Sequence, residues 1–122
     1  MALNINSITL VGELTEPPRS RMTAEGKAVT RLRLAVDREF DRGTPDFFTV
    51  LAWQRLAELS GDILAECTGL PVSVKGKIRR RELPPKDGCR CVHRIYEVHA
   101  DEIGFPSVWM REANELRRAR RT

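Results

Sequence analysis

The 122-residue sequence is poor in aromatic residues, has three cysteines and contains no long apolar run. An odd number of cysteines without a secretory feature argues against a disulfide framework. The longest strictly apolar run is residues 50–53, whereas a membrane-spanning helix needs roughly 20 apolar residues. The N-terminus lacks a basic segment followed by an apolar one, so we identify no signal peptide. We therefore expect a cytoplasmic protein with no membrane partner.

Sequence signatures of common enzymes are missing as well. There is no GxSxG, no P-loop, no HExxH and no carboxylate cluster suited to a metal ion. The length fits one domain of roughly 100–150 residues and is too short for a TIM barrel. We expect a non-enzymatic protein that needs no cofactor and takes no small-molecule substrate.

One group of candidate metal ligands is present. Cys89, Cys91 and His93 alternate along a predicted strand. Structural zinc sites favour Cys-x2–4-Cys pairs and four ligands, and side chains two residues apart on a flat strand are separated by about 7 Å. We therefore expect no bound metal. Cys67 is expected to be buried as a small apolar residue.

Positive charge is concentrated in one segment. Lys and Arg number 21 against 17 Asp and Glu, a net charge of +4, and residues 75–81 read KGKIRRR. Lys75, Lys77, Arg79 and Arg81 share one face if this segment is a strand. A charge run is usually a solvated face. Four like charges on one strand face, with no acid between them, nevertheless favour an anionic partner.

Hydrophobic periodicity predicts five strands. Alternation of period two marks residues 7–14, 28–37, 46–53, 72–81 and 89–103. In the second strand, Arg31 and Arg33 share the face opposite to Leu32 and Leu34. The last strand is expected to contain a bulge, because its alternation changes register before Ile103.

Two helices and a loop complete the prediction. Residues 54–66 are expected to form a helix with Leu56, Leu59 and Ile63 on its apolar stripe. Residues 15–27 contain two prolines and a glycine and are expected to be a loop. Residues 106–122 are expected to form a basic C-terminal helix that follows a folded domain of residues 1–105.

This order of elements is that of an OB-fold barrel, which binds oligonucleotides with its second and third strands and nearby loops. The predicted fold class is all-β: a five-stranded OB-fold barrel with a helix between strands 3 and 4 and a short C-terminal helix.

Five segments carry a family resemblance: SITLVGELTEPP, EGKAV leading into LRLAVD, DFFTVLAWQRLAE, VSVKGKIRRRE and YEVHADEIGF. In this order and spacing, over residues 4–105, they resemble the bacterial single-stranded DNA-binding proteins. The resemblance implies an OB barrel, assembled as a homodimer or homotetramer. It also implies binding of single-stranded DNA without strong sequence preference, in replication, recombination or repair.

The resemblance implies three base-stacking side chains, Phe40, Phe47 and Trp53, while a fourth stacking position falls near the non-aromatic Leu83. From the residues alone, Phe47 and Trp53 share one strand face, and either core packing or base stacking is compatible with them. The phosphate contacts are assigned to the cations of two strands: Arg31, Arg33, Lys75, Lys77, Arg79 and Arg81.

The C-terminal segment departs from the family, which usually ends in an acidic tip on a disordered linker. Residues 106–122 are basic instead, and their arginines either extend the nucleic-acid surface or lie against a neighbouring subunit. The alternatives are a primosomal-type protein, an RNA-binding OB protein, or an interaction module that uses Trp109 and has lost most nucleic-acid affinity.

Overall fold

The computed structural model describes residues 3–40, 43–85, 88 and 90–104. These ranges contain six strands and one helix: β1 (Ile8–Leu14), β2 (Arg19–Met22), β3 (Ala28–Val36), β4 (Asp46–Trp53), α1 (Arg55–Leu64), β5 (Pro71–Leu83) and β6 (His93–Gly104). The expected C-terminal helix lies outside the described residues.

The strands form one sheet in the order β1-β5-β6-β4-β3-β2. β1 also pairs with β3, where Glu13 and Leu14 lie opposite Ala35 and Leu34. The β4–β6 pairing is parallel and the others are antiparallel. An all-β sheet of this kind, with a helix between β4 and β5, is OB-like.

β2 corrects the expectation of a loop over residues 15–27. Its four residues pair with β3 from Arg19↔Arg31 to Met22↔Ala28. Gly26 makes the connecting turn with a φ of 82°, a backbone conformation that glycine adopts without steric cost. The strand was missed because all four of its side chains are exposed, so it has no apolar alternation.

The core predicted from alternation is confirmed for the long strands. Leu32 and Leu34 of β3 are fully buried, whereas Arg31 on the opposite face is exposed. The buried cluster is built from residues of every long element: Leu14, Leu32, Leu34, Val50, Leu64, Cys67, Val72, Val74 and Val98. Phe47 and Trp53 do not belong to this cluster. The burial predicted for Cys67 is also confirmed.

β6 contains the expected bulge, although the strand begins at His93 and Cys89 lies outside the described residues. Lys75 of β5 pairs with Glu102, while the next residue, Gly76, pairs with Ala100. Asp101 is therefore the extra residue on β6, and an extra residue bends a strand and increases its twist.

The stripe predicted for helix α1 is wrong at Leu59, while Leu56 is partly buried and the side chain of Ile63 lies outside the described residues. Ala57, Ser60 and Leu64 are buried, whereas Leu59 is half exposed. Small residues permit close approach to the sheet: a Cβ added at Gly61 would lie 2.8 Å from Ser20 Oγ. Thr30 Oγ1 also donates to the Ala57 carbonyl at 2.8 Å. No helix in the described ranges is long and apolar enough to cross a membrane.

Candidate nucleic-acid interface

The outward side chains of four adjacent strands share one continuous face. Arg31 of β3 lies opposite Leu51 of β4, and Leu51 lies beside His99 of β6. His99 in turn pairs with Lys77 of β5. Paired residues point to the same side of a sheet. The cations of β3 and β5, which are far apart in sequence, therefore lie on either side of one central strip.

A groove of about 1190 Å³ lies on this face. Its lining includes the apolar and aromatic side chains of Val29, Leu51, Trp53, Leu83 and Ile95. Six arginines line it within the part of the chain that the structure describes: Arg19, Arg21, Arg31, Arg79, Arg80 and Arg81. Glu97 is the one acid among these described lining residues. The groove thus combines a surface for flat rings with donors for an anionic backbone.

Trp53 lines the groove and is hydrogen-bonded to His99, which lines it too. The indole Nε1 donates a hydrogen bond to Nδ1 of His99 at 3.1 Å, and the two ring planes differ by 22°. Burial, and secondly the charge of Arg79, lower the pKa of His99 below its ordinary 6.5. A neutral imidazole has one unprotonated nitrogen, which is what the indole N–H needs as an acceptor.

Phe47 lies on the same face of β4 as Trp53, as the sequence predicts, and its side chain is 49% exposed. The guanidinium carbon of Arg33 is 5.2 Å from the centre of the Phe47 ring, within the range of a cation–π contact. Arg33 also donates from Nη1 to Thr49 Oγ1 at 3.5 Å. Arg33 and Phe47 therefore form one unit beside the groove.

Phe40 lies apart from the groove and is 95% exposed. It follows β3, two residues after Arg38, whose guanidinium binds Asp46 at 2.9 Å and so joins the end of β3 to the start of β4. The hydrogen bond from Arg38 lowers the pKa of Asp46 from its ordinary value. This exposed ion pair links residues on either side of the segment that carries Phe40.

The four predicted cations of β5 do not all line the same groove. Arg79 and Arg81 line the groove, and Lys77 lies opposite His99. Lys75 lines a second, smaller pocket together with Thr9 and Glu102. The acids missing between these cations in sequence are supplied by β6, because Glu102 pairs with Lys75 and Glu97 pairs with Arg79.

Residues 5–106 match the single-strand binding protein family. The chain belongs to this family. It is 35% identical over 105 residues to a single-stranded DNA-binding protein of Clostridium tetani, which covers 83% of this chain and 70% of the relative. It is 33% identical over 128 residues to the one of Corynebacterium glutamicum, covering 98% of this chain and 55% of the relative.

A solved structure supports the same assignment. A deletion variant of the single-stranded DNA binding protein from Thermus aquaticus superposes with a TM-score of 0.64 at 29% identity. The match covers 84% of this chain and 42% of that one. This family member therefore spans only part of the length of the proteins it resembles.

In this family member, the groove brings together Arg31, Trp53, Arg79 and Arg81 from the predicted site. Sequence reasoning missed Arg19 and Arg21, because it predicts a loop over residues 15–27, and it missed Arg80 and His99. The alternation of arginines in RSRM was the signal available for β2. His99 had no comparable signal, since its place beside Trp53 depends on the parallel β4–β6 pairing.

Proposed function

We propose that this chain binds single-stranded DNA in the groove, without sequence preference, as a non-enzymatic protein of DNA replication, recombination or repair. The observation that carries the proposal is a groove lined by six described arginines together with Trp53. The names of the relatives point to the same ligand. Single-stranded DNA formed in replication, recombination or repair lies in the bacterial cytoplasm, and we propose that the protein is cytoplasmic.

Within this proposal, each side chain of the site has a role set by its place. Trp53 and Phe47 stack on successive bases, and Phe40 extends the stacking surface from the segment after β3. Base stacking tolerates any sequence, because every base has a π-face. Phosphates are neutralised by Arg31, Arg33, Lys77, Arg79 and Arg81 near these rings, and by Lys75 farther along β5.

The fold proposed for this function is a five-stranded OB barrel, with β2 as an added hairpin strand. The pairing of β1 with β3 supports closure, since it joins the two ends of the β1-β5-β6-β4-β3 series. We further propose that the protein acts as a homodimer or homotetramer. Val11 on β1 supports this, because this apolar side chain is 58% exposed.

Fluorescence anisotropy with labelled oligo-dT, oligo-rU and duplex DNA at two salt concentrations tests the proposed function. Oligo-dT should bind far more tightly than duplex, because paired bases hide their faces from stacking. Its affinity should fall steeply with salt as counterions are released. Equal affinity for duplex and oligo-dT would identify a generic basic patch and contradict the proposal. Preference for oligo-rU would favour an RNA-binding protein instead.

A further inference from the structure

The Trp53 and His99 rings lie side by side rather than face to face. An indole N–H points outward in the plane of its ring, and the lone pair of an imidazole nitrogen lies in the plane of its own ring. Nε1 and Nδ1 are 3.1 Å apart, while the ring centres are 6.0 Å apart and the planes differ by 22°. An edge-to-edge arrangement accounts for the hydrogen bond, the small angle between the planes and the centre distance together.

Both rings line the groove, and both are partly buried. The two side chains come from adjacent strands, at the point where Leu51 of β4 lies beside His99 of β6. The hydrogen bond therefore joins two separate rings into one surface whose two planes are inclined by 22°.

We infer that Trp53 and His99 form a two-ring platform on which a single DNA base stacks, so that His99 is a base-contacting residue. This inference rests on the proposed function and names a further residue of the same site. Histidine stacks on exposed bases as other aromatic side chains do. The hydrogen bond prevents the indole from rotating away from the imidazole, so less side-chain freedom is lost when a base binds.

The charges around His99 favour the neutral imidazole that this platform requires. Arg79, Lys77 and Arg81 of β5 face the imidazole and oppose its protonation. Glu97 of β6 favours its protonation. Burial is the larger influence, and the pKa of His99 lies below its ordinary value. Near neutral pH, Nδ1 is therefore available to the indole N–H.

The pairing of the rings is tested without DNA. In 15N-labelled protein carrying Trp109→Phe, the remaining indole signal belongs to Trp53. His99→Ala should move the Nε1 proton signal upfield, since the hydrogen bond is lost. His99→Asn places an amide oxygen close to the former Nδ1 position and should restore much of the shift. An indole signal that both substitutions leave unchanged would overturn the ring pairing.

The stacking role is tested by oligo-dT affinity in variants whose melting temperatures are unchanged. His99→Ala should weaken binding about fivefold, the lower range for loss of one stacking ring. His99→Asn should bind nearly as weakly, because it restores the hydrogen bond and not the ring. Full affinity in His99→Asn would show that His99 only orients Trp53, and full affinity in His99→Ala would remove it from the site; either result overturns the platform.

A double-mutant cycle decides whether the rings share one base. Trp53→Ala and His99→Ala combined should weaken binding by less than the product of their separate effects, because neither ring keeps its partner. Independent effects would place the rings under different bases and overturn the platform. A wild-type protein that fails to bind oligo-dT would remove the proposed function itself, whereas wild-type binding with an inert His99 removes the platform alone.

Discussion

The guanidinium of Arg81 forms a bidentate ion pair with the carboxylate of Glu97, with Nε 3.2 Å from Oε1 and Nη2 3.3 Å from Oε2. The Glu97 side chain is 7% exposed, whereas that of Arg81 is 53% exposed. A carboxylate with so little access to water depends on its protein partner for compensation. Arg81 therefore compensates the buried Glu97 carboxylate in the groove lining as well as facing the proposed DNA.

Arg81→Ala should lower the free energy of unfolding by about 1–2 kcal/mol, because Glu97 is left buried without its partner and water only partly replaces it. Arg79→Ala is the matched control on the same strand face and should change stability by less than about 0.5 kcal/mol. Urea denaturation measures both. Equal stabilities of the two variants would show that the ion pair contributes nothing to the fold.

Two further variants should distinguish the contribution of base stacking to DNA binding from that of positive charge. Trp53→Ala should weaken oligo-dT binding by about 1–3 kcal/mol with little change in salt dependence, since a ring releases no counterion. Arg79→Ala should weaken binding to all sequences and reduce the salt slope by about one unit. Titrations at several salt concentrations, with melting temperatures measured in parallel, give both quantities. A thermally unchanged Trp53→Ala protein with undiminished affinity would place the site elsewhere.

Phe40 offers a test in which folding and binding are well separated. Because its side chain is 95% exposed, Phe40→Ala should change stability by less than about 0.5 kcal/mol. If the ring stacks on a base, oligo-dT affinity should fall by about 1 kcal/mol or more. Leu3→Ala removes a comparably exposed apolar side chain and should leave affinity unchanged. Matching affinities for the two variants would exclude Phe40 from the interface.

The strands that could be predicted from sequence are those that bury one face. Leu32 and Leu34 in β3, and Val50 in β4, alternate with outward residues, and alternation is visible only where one side is buried. β2 has no buried face, and its pairing with β3 is reinforced by a hydrogen bond between Ser20 and Thr30. Contacts of this kind become evident only once the chain has folded.

The residues of the candidate site also divide into those that the sequence could predict and those that it could not. Arg31 and Trp53 were predictable, because their strands alternate strongly and their residue types suit DNA. The roles of His99 and Glu97 were not, since each depends on which residue of a neighbouring strand lies opposite. The helix stripe was wrong at Leu59 for a related reason: Ala57 and Ser60 are buried because their small size lets α1 approach the sheet.

Stability should fall as the pH is lowered through the titration of His99. Its pKa is lowered in the folded protein from 6.5, so the unfolded chain takes up the proton first. The contribution of neutral His99 to the free energy of unfolding is full above pH 6.5. It is lost as the pH falls through the lower pKa of His99 in the folded protein. Between about pH 8 and pH 5, wild type should lose more stability in urea denaturation than His99→Asn. Equal losses would show that His99 is not coupled to folding. The Asp46 carboxylate does not titrate in this pH range, because the hydrogen bond from Arg38 lowers its pKa from 3.8.

Assembly is expected to depend on β1. Within the described residues, the stretch from Ile8 to Val11 pairs with β5 on one side and with no strand on the other, and such an edge can pair with another chain. Light scattering of the wild type should give a multiple of 13.9 kDa. Val11→Glu should lower that mass at equal concentration, because it puts a charge on the edge strand. Ile5→Glu, a comparably exposed position before the strand, should not. A wild type that remains a 13.9 kDa monomer at every concentration would contradict the proposed homo-oligomer.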